Sequence, residues 1–302
     1  MRGQRFLAVV APVLLVGLGL SVPVTASASS EPSYYLALGD SLSVGFQPTF
    51  SHPTGTPTDR GYASDLHDAL RLRDPGLQLV KLGCPGETST TMMDGSGGLN
   101  PYCPEYASPA SSQLSAALAF LEKHPGQVSL VTIDIGANDV DGCFIPTETA
   151  AEIEACVFAA VPTLAANLGG ILHQIVETLA SLDPGGRIMG MNYYDPFLAD
   201  YLSPGGQTLA EGSVELADAV NAELATVYGD FRVPVAGVAG AFQTDNFGLI
   251  PFIHIPTNVA LICAWTWMCA PSPYGPNIHA NDIGYAVIAG TFLAELRGHG
   301  FP

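Results

Sequence analysis

The amino-acid sequence predicts an α/β protein, a three-layer α/β/α sandwich with a five-stranded parallel sheet, on three observations. Short apolar runs alternate with helix-like stretches five times, which implies right-handed crossovers and a sheet covered on both faces. Three of these runs close in glycine-bearing turns whose polar residues fall at strand carboxyl ends, where open α/β sheets keep their ligand crevice. Neither an internal repeat nor a linker interrupts the chain.

Arg2 and Arg5, the uncharged run Phe6 to Leu20 and the small residues Ala26-Ser27-Ala28 read as a secretory signal peptide, residues 1–28, with cleavage after Ala28. Removing 28 residues from 302 leaves 274, enough to bury a core and form one domain over residues 29–302. Tyr34 to Leu38 is the first strand and runs into Gly39-Asp40-Ser41-Leu42-Ser43. The Pro- and Thr-rich stretch Gln47 to Thr58 is loop. Gly61 to Leu72 is a short amphipathic helix, with Leu66, Leu70 and Leu72 as its apolar positions. Leu77 to Leu82 is the second strand, ending in Gly83-Cys84-Pro85-Gly86-Glu87-Thr88, and Asp94 to Pro109 is Gly- and Pro-rich loop.

Ser111 to Lys123 places Leu114, Leu118 and Leu121 on one helical face. Val128 to Ile135, the most strand-like run, ends in Gly136-Ala137-Asn138-Asp139. Thr147 to Leu182 reads as helix broken near Pro162, striped by Leu164, Leu168, Ile171, Ile175 and Leu179. Ile188 to Tyr194 is a fourth strand, Leu209 to Tyr228 a helix and Val233 to Val238 a fifth strand. Phe242 to Tyr274 reads mostly as a loop over the edge of the sheet where those turns lie. Asn281 or Asp282 then caps a last helix that buries Val287, Ile288, Phe292 and Leu296.

The charge balance excludes some partners. Without Arg2 and Arg5 the basic count falls from 10 to 8 against 28 acids, a net charge of −20, so nucleic acid and anionic membrane surfaces are poor partners. Beyond the leader no second apolar stretch of spanning length is read, so no stable membrane anchor is expected once the signal is cleaved; a monomer is expected. Six cysteines in an exported chain suggest disulfides. Among the possible connectivities, neighbour pairing is favoured: Cys84–Cys103, Cys143–Cys156 and Cys263–Cys269 would each staple a loop at a strand end or beside a motif. No Cys-x-x-Cys pair and no His-Glu-x-x-His sequence occurs, so no metal site is expected.

The strand-edge turns and the last helix entrance carry a serine, a glycine, an asparagine and a histidine, the parts that acyl transfer requires. A serine hydroxyl needs a base within hydrogen-bond reach, which the imidazole of His279 can be for Ser41. Fixed donors must meet the oxyanion of the tetrahedral intermediate, and Ser41 N–H, Gly86 N–H and the Asn138 amide can supply them. His254, between isoleucines, is the rival base and reads as a packed core residue. Asp40 and Asp139 read as turn-holding acids. Trp265 and Trp267 line an acyl pocket or pack the short disulfide loop.

With those blocks in order, the chain resembles an SGNH, or GDSL-type, hydrolase. Gly39-Asp40-Ser41-Leu42-Ser43 matches the nucleophile block, Gly86 the glycine block, Gly136-Ala137-Asn138-Asp139 the asparagine block and His279 the histidine block. The resemblance covers Tyr34 to Leu296 and is most like exported esterase and lipase members with paired cysteines. It implies the flavodoxin-like SGNH variant of the α/β/α fold, an acyl-serine mechanism, no cofactor, and small-molecule ester or lipid substrates. Members usually carry Asp three residues before the histidine; that position here is Pro276, and Asn277 follows it. A backbone carbonyl, best that of Pro276, is the expected orienter of His279 in a Ser-His dyad or backbone-assisted triad, with Asp195 or Asp245 as alternatives. A carbohydrate acetylesterase of the same fold, or a catalytically silent secreted binding protein, is the alternative function.

Overall fold

A computed structural model describes residues 32–145 and 148–300 of the chain. The signal-peptide reading of residues 1–28 lies outside the described residues. Five strands form one parallel sheet: β1 (Tyr34–Gly39), β2 (Gln78–Lys81), β3 (Val128–Asp134), β4 (Arg187–Met191) and β5 (Val235–Ala236), in the order β2-β1-β3-β4-β5. Strands β1 and β3 lie, with β4, in the sheet's interior, where side chains on both faces meet helices. That is why their sequences are nearly continuous apolar runs rather than alternating ones. Tyr35 to Leu38 and Leu130, Val131 and Ile133 are all fully buried.

The order reverses between β1 and β3, and a reversal leaves a crevice outside the strand ends into which both following loops project. Register pairs Gly39 with Asp134, so these loops leave the sheet side by side. On one side, α1 (Tyr62–Leu70) packs against α9 (Asp282–Gly298), with the rings of Tyr62 and Phe292 stacked 4.9 Å apart. Elsewhere α3 (Gln113–Lys123), α5 (Ala150–Leu182) and α6 (Gln207–Asp230) pack in series. Short helices α2 (Ser89–Asp94), α4 (Ala137–Asp141) and α7 (Val238–Ala241) follow β2, β3 and β5.

Two expectations are corrected and a third is refined. Helix α5 is continuous through Pro162. Proline removes the N–H that would bond the carbonyl of Phe158, but Phe158 is exposed, so water can satisfy that carbonyl and the buried stripe around Leu164, Leu168 and Ile171 holds the helix together. The same helix is long and apolar enough, by length and composition, to cross a membrane. In the fold its stripe packs inward beside α3 and α6. Finally, Phe242 to Tyr274 contains helix α8 (Thr257–Trp265). The run Val259-Ala260-Leu261-Ile262-Cys263 is apolar at successive positions, which hides the 3.6-residue period that would have marked it.

Sulfur–sulfur bonds join Cys84 to Cys103, Cys143 to Cys156 and Cys263 to Cys269, with Cα atoms 6.0, 5.6 and 4.9 Å apart. The first closes the loop containing Gly86. The second ties the segment after α4 to the first turns of α5, and the third ties the end of α8 to the chain leading to His279.

Candidate active site

Ser41 sits two residues beyond β1 in a turn that the core holds from below. Gly39 has φ +126°, and a Cβ there would run into the main-chain oxygen of Asp134, so only glycine lets β1 and β3 part this closely. Gln113 on α3 clamps the same residue, accepting from its N–H at 2.7 Å and donating to its carbonyl at 2.9 Å. Asp40 takes the Leu42 N–H at 2.9 Å and the Tyr193 hydroxyl at 3.0 Å, while its main-chain oxygen accepts from the Ser43 hydroxyl at 2.7 Å. Asp40 is thus spent on shaping the turn, as its position beside the serine suggests.

His279 comes from the other end of the chain, just before α9 begins. Its Nε2 lies 2.9 Å from Ser41 Oγ and its Nδ1 2.6 Å from Oδ1 of Asn277. The Asn277 oxygen also accepts the His279 main-chain N–H at 3.1 Å, and the Asn277 amide nitrogen donates to the carbonyl of Thr54 at 3.2 Å. Those two contacts fix which end of the amide faces the ring. Nδ1 therefore carries the proton, Nε2 presents its lone pair, and the serine hydroxyl donates to it. The ring also lies on Phe46, 4.6 Å between centroids. Asn281 caps α9 by accepting from Ile283 N–H at 3.0 Å and Gly284 N–H at 3.1 Å, which sets where the histidine-bearing segment ends.

The orienter is thus a correction. The Pro276 carbonyl takes no part, because Asn277 folds its side chain back over two residues, an Asx-type turn that delivers a carbonyl oxygen to both N–H groups of the histidine. Asp195 is occupied by the Phe197 N–H at 2.9 Å and the Ser213 hydroxyl at 2.6 Å. Asp245 does not line the cavity that holds the serine and histidine.

Asn138, on α4 just past β3, lines the same cavity as Ser41 and His279. Its amide donates one hydrogen to the Glu87 carbonyl at 2.9 Å, leaving the second available. That bond also anchors the Gly86 turn to the β3 loop. Gly86 has φ +79° and open space around its missing Cβ, so its glycine serves backbone conformation rather than close packing. The N–H groups of Ser41 and Gly86 donate to no acceptor among the described residues. Asp139 takes both the N–H and hydroxyl of Ser89, at 2.8 and 2.5 Å, and so docks α2 against α4.

Residues 37–287 match the GDSL-like Lipase/Acylhydrolase family. The chain belongs to that family. It is accordingly a carboxylic ester hydrolase, and a small-molecule ester is its substrate. Its fold is similar to phospholipase A1 from Streptomyces albidoflavus NA297, at 16% identity over 88% of this chain and 100% of that one, with a TM-score of 0.57. It is also similar to an extracellular lipase from Streptomyces rimosus (18% identity, 87% and 99% covered, TM-score 0.52). A third is the lipase Lip_vut3 from a goat rumen metagenome (16%, 89% and 98%, 0.54). No curated protein matches the chain in sequence.

In this GDSL-like hydrolase the Ser41–His279 pair opens onto a cavity of about 740 Å³, its mouth included. Its walls are mostly carbon, from Leu42, Val140, Phe144, Phe197, Leu216 and Val220 among others. Neither Trp265 nor Trp267 lines it; Trp265 packs edge-on against Phe242 at 5.1 Å. His254, the rival base, is exposed and outside the cavity.

Burial dominates the electrostatics here. It pushes the His279 imidazole down to about 4, so the ring is neutral at neutral pH and fit to accept a proton. It pushes the Asp40 carboxyl up to about 6 and holds Asp134, beneath the turn, well above the ordinary carboxylate range, with the Asp40 charge adding to the effect. Asp134 Oδ1 accepts from the Tyr62 hydroxyl at 2.8 Å, whereas Oδ2 has no hydrogen-bond partner among the described residues.

Sequence reasoning missed Asn277 and Tyr193. Asn277 carried a usable signal, an Asx residue two positions before the histidine. Tyr193 had none, since nothing local joins a tyrosine after β4 to an aspartate after β1.

Proposed function

We propose that the chain is a secreted serine esterase that works through an acyl-serine intermediate. The observation that carries this reading is the chain of contacts Ser41 Oγ, His279 Nε2, His279 Nδ1 and Asn277 Oδ1, at 2.9 and 2.6 Å. His279 takes the Ser41 proton as Oγ bonds to the ester carbonyl carbon, and the carbonyl electron pair moves to oxygen. Donors from Ser41 N–H, Gly86 N–H and Asn138 Nδ2 face that charge. Collapse breaks the bond to the alcohol oxygen, which leaves with the proton from His279. Water, deprotonated by the same ring, then releases the acid and restores the serine.

Asn277 does the orienting work of a carboxylate without its charge: it holds the productive tautomer and leaves the imidazolium unsupported by an anion. The mostly carbon-walled cavity favours lipid-like esters with an acyl arm over the acetyl esters of carbohydrates. Three disulfides support an exported, oxidising setting, and the protein acts as a monomer.

The test is turnover of p-nitrophenyl esters together with labelling by a fluorophosphonate probe. Ser41→Ala should abolish labelling and lower kcat by ~10⁴-fold or more. Turnover that survives the substitution, or a wild-type chain that the probe leaves unlabelled, refutes the mechanism and favours the silent binding protein.

A further inference from the structure

The wall of the cavity behind Ser41 contains one carboxyl with no protein partner among the described residues. Asp141 lies three residues after Asn138 on α4, so the two side chains leave the same helical face, with Cβ atoms about 5–6 Å apart. Like Asn138, it lines the cavity. The other two carboxyls of the cavity wall are engaged: Asp40 by Leu42 and Tyr193, Asp195 by Phe197 and Ser213. The Asp141 carboxyl has no hydrogen-bond or ion-pair partner among the described residues, and no lysine or arginine lines the cavity with it. A half-buried carboxyl on a mostly carbon wall, with no protein partner, is a ready acceptor for a donor that enters the site.

We infer that Asp141 is a specificity residue, and that the preferred substrate is an ester whose arm in the cavity carries a hydrogen-bond donor, a hydroxyl or an ammonium group, a few carbons from the scissile carbonyl. This rests on Ser41 and Asn138 holding that carbonyl, as proposed above. Because Asn138 sits beside the reacting oxygen, one helical turn sets how far along the arm the donor lies. Burial, then the Asp40 and Asp195 charges, push the Asp141 carboxyl up to about 7, so it can offer an anion to an ammonium or share a proton with a hydroxyl. The same three acids reject an arm that ends in a carboxylate.

The test uses ethyl esters with acyl chains of three to six carbons ending in methyl, hydroxyl, ammonium or carboxylate, with uncatalysed rates subtracted. At one or more chain lengths, wild-type kcat/KM should favour a donor-ended ester over the methyl-ended one by about tenfold or more, with carboxylate-ended esters slowest. Asp141→Leu should bring the donor-to-methyl ratio close to one. Asp141→Asn should keep the preference for hydroxyl and lose that for ammonium. A wild-type enzyme that hydrolyses methyl-ended esters best at every length overturns the inference and leaves the serine mechanism standing, as does a donor preference that Asp141→Leu leaves intact. If the chain hydrolyses none of the esters and escapes the fluorophosphonate probe, the mechanism itself falls and this inference with it.

Discussion

The two halves of the reacting pair are held in different ways. The nucleophile turn is anchored by the core: Gly39 fits against Asp134, Gln113 clamps the strand end, and Tyr193 reaches across to Asp40. The histidine segment is anchored near the surface by the Asn277 side chain, by the main-chain bonds that Trp267 makes to the His279 carbonyl and accepts from the Asn277 N–H, and by the Cys263–Cys269 bridge. One end cannot be disturbed without disturbing the fold, whereas the other can be misaligned while the fold survives. The pair should therefore separate stability from activity when each end is altered alone.

The largest effect is expected at Gly39. An alanine must adopt φ near +126° and push its Cβ into the Asp134 carbonyl, so Gly39→Ala should cost about 3 kcal/mol or more and take folding and activity together. Chemical denaturation followed by circular dichroism checks this. Asn277→Ala should do the reverse. Loss of the acceptor frees the ring to turn or change tautomer, lowering kcat by ~10²–10⁴-fold, while the melting temperature moves by less than about 4 °C. A variant at Asn277 that unfolds as readily as one at Gly39 would erase the contrast.

Asn138→Ala is next, at ~10²–10³-fold in kcat with KM little changed, the signature of a group that meets only the developing charge. Equal losses in kcat and in substrate affinity would place Asn138 in ground-state binding instead.

The same contrast explains what could be read from the sequence. Ser41, Asn138 and Gly86 follow strands directly, so an apolar run followed by a glycine turn located each of them without any long-range contact. The sheet was legible for that reason too, including its cover of helices on both faces. Asn277 was overlooked because the expected orienter was an acid or a main-chain carbonyl, and a side-chain carbonyl at the neighbouring residue satisfies the same N–H. Helix α8 was overlooked because apolar residues on all its sides leave no stripe. The Tyr193–Asp40 contact depends on β4 lying one strand away from β1 across β3, and only topology reveals it.

Acidity sharpens the comparison at the histidine end. With His279 held down to about 4 by burial, the base stays neutral well below its ordinary 6.5, and the acid limb of kcat/KM should fall near pH 4 to 5. Asn277→Asp places an anion against the ring and favours the imidazolium. It should shift that limb upward by about one to two pH units, with turnover kept near or above the wild-type level at pH 8. An unmoved limb would mean that some other group titrates there.

The smallest effect is expected at the nucleophile end, in stability alone. Asp134 is held above the ordinary carboxylate range by burial and by the Asp40 charge, with the Tyr62 hydroxyl donating to one oxygen. The native chain therefore binds this proton more tightly than the unfolded chain does, so stability decreases as pH rises from the ordinary carboxylate range through the raised value. An asparagine side chain in its place would keep an oxygen for Tyr62 and carry no charge. Asp134→Asn should thus melt above the wild type at pH 8, by a few degrees for ~1–2 kcal/mol, with the gap closing as the pH falls toward 4. A gap that stays constant with pH would mean that the Asp134 carboxyl is not what titrates. The cost of burying acid beneath the nucleophile would then belong to Asp40, whose two hydrogen bonds also shape the turn around Ser41.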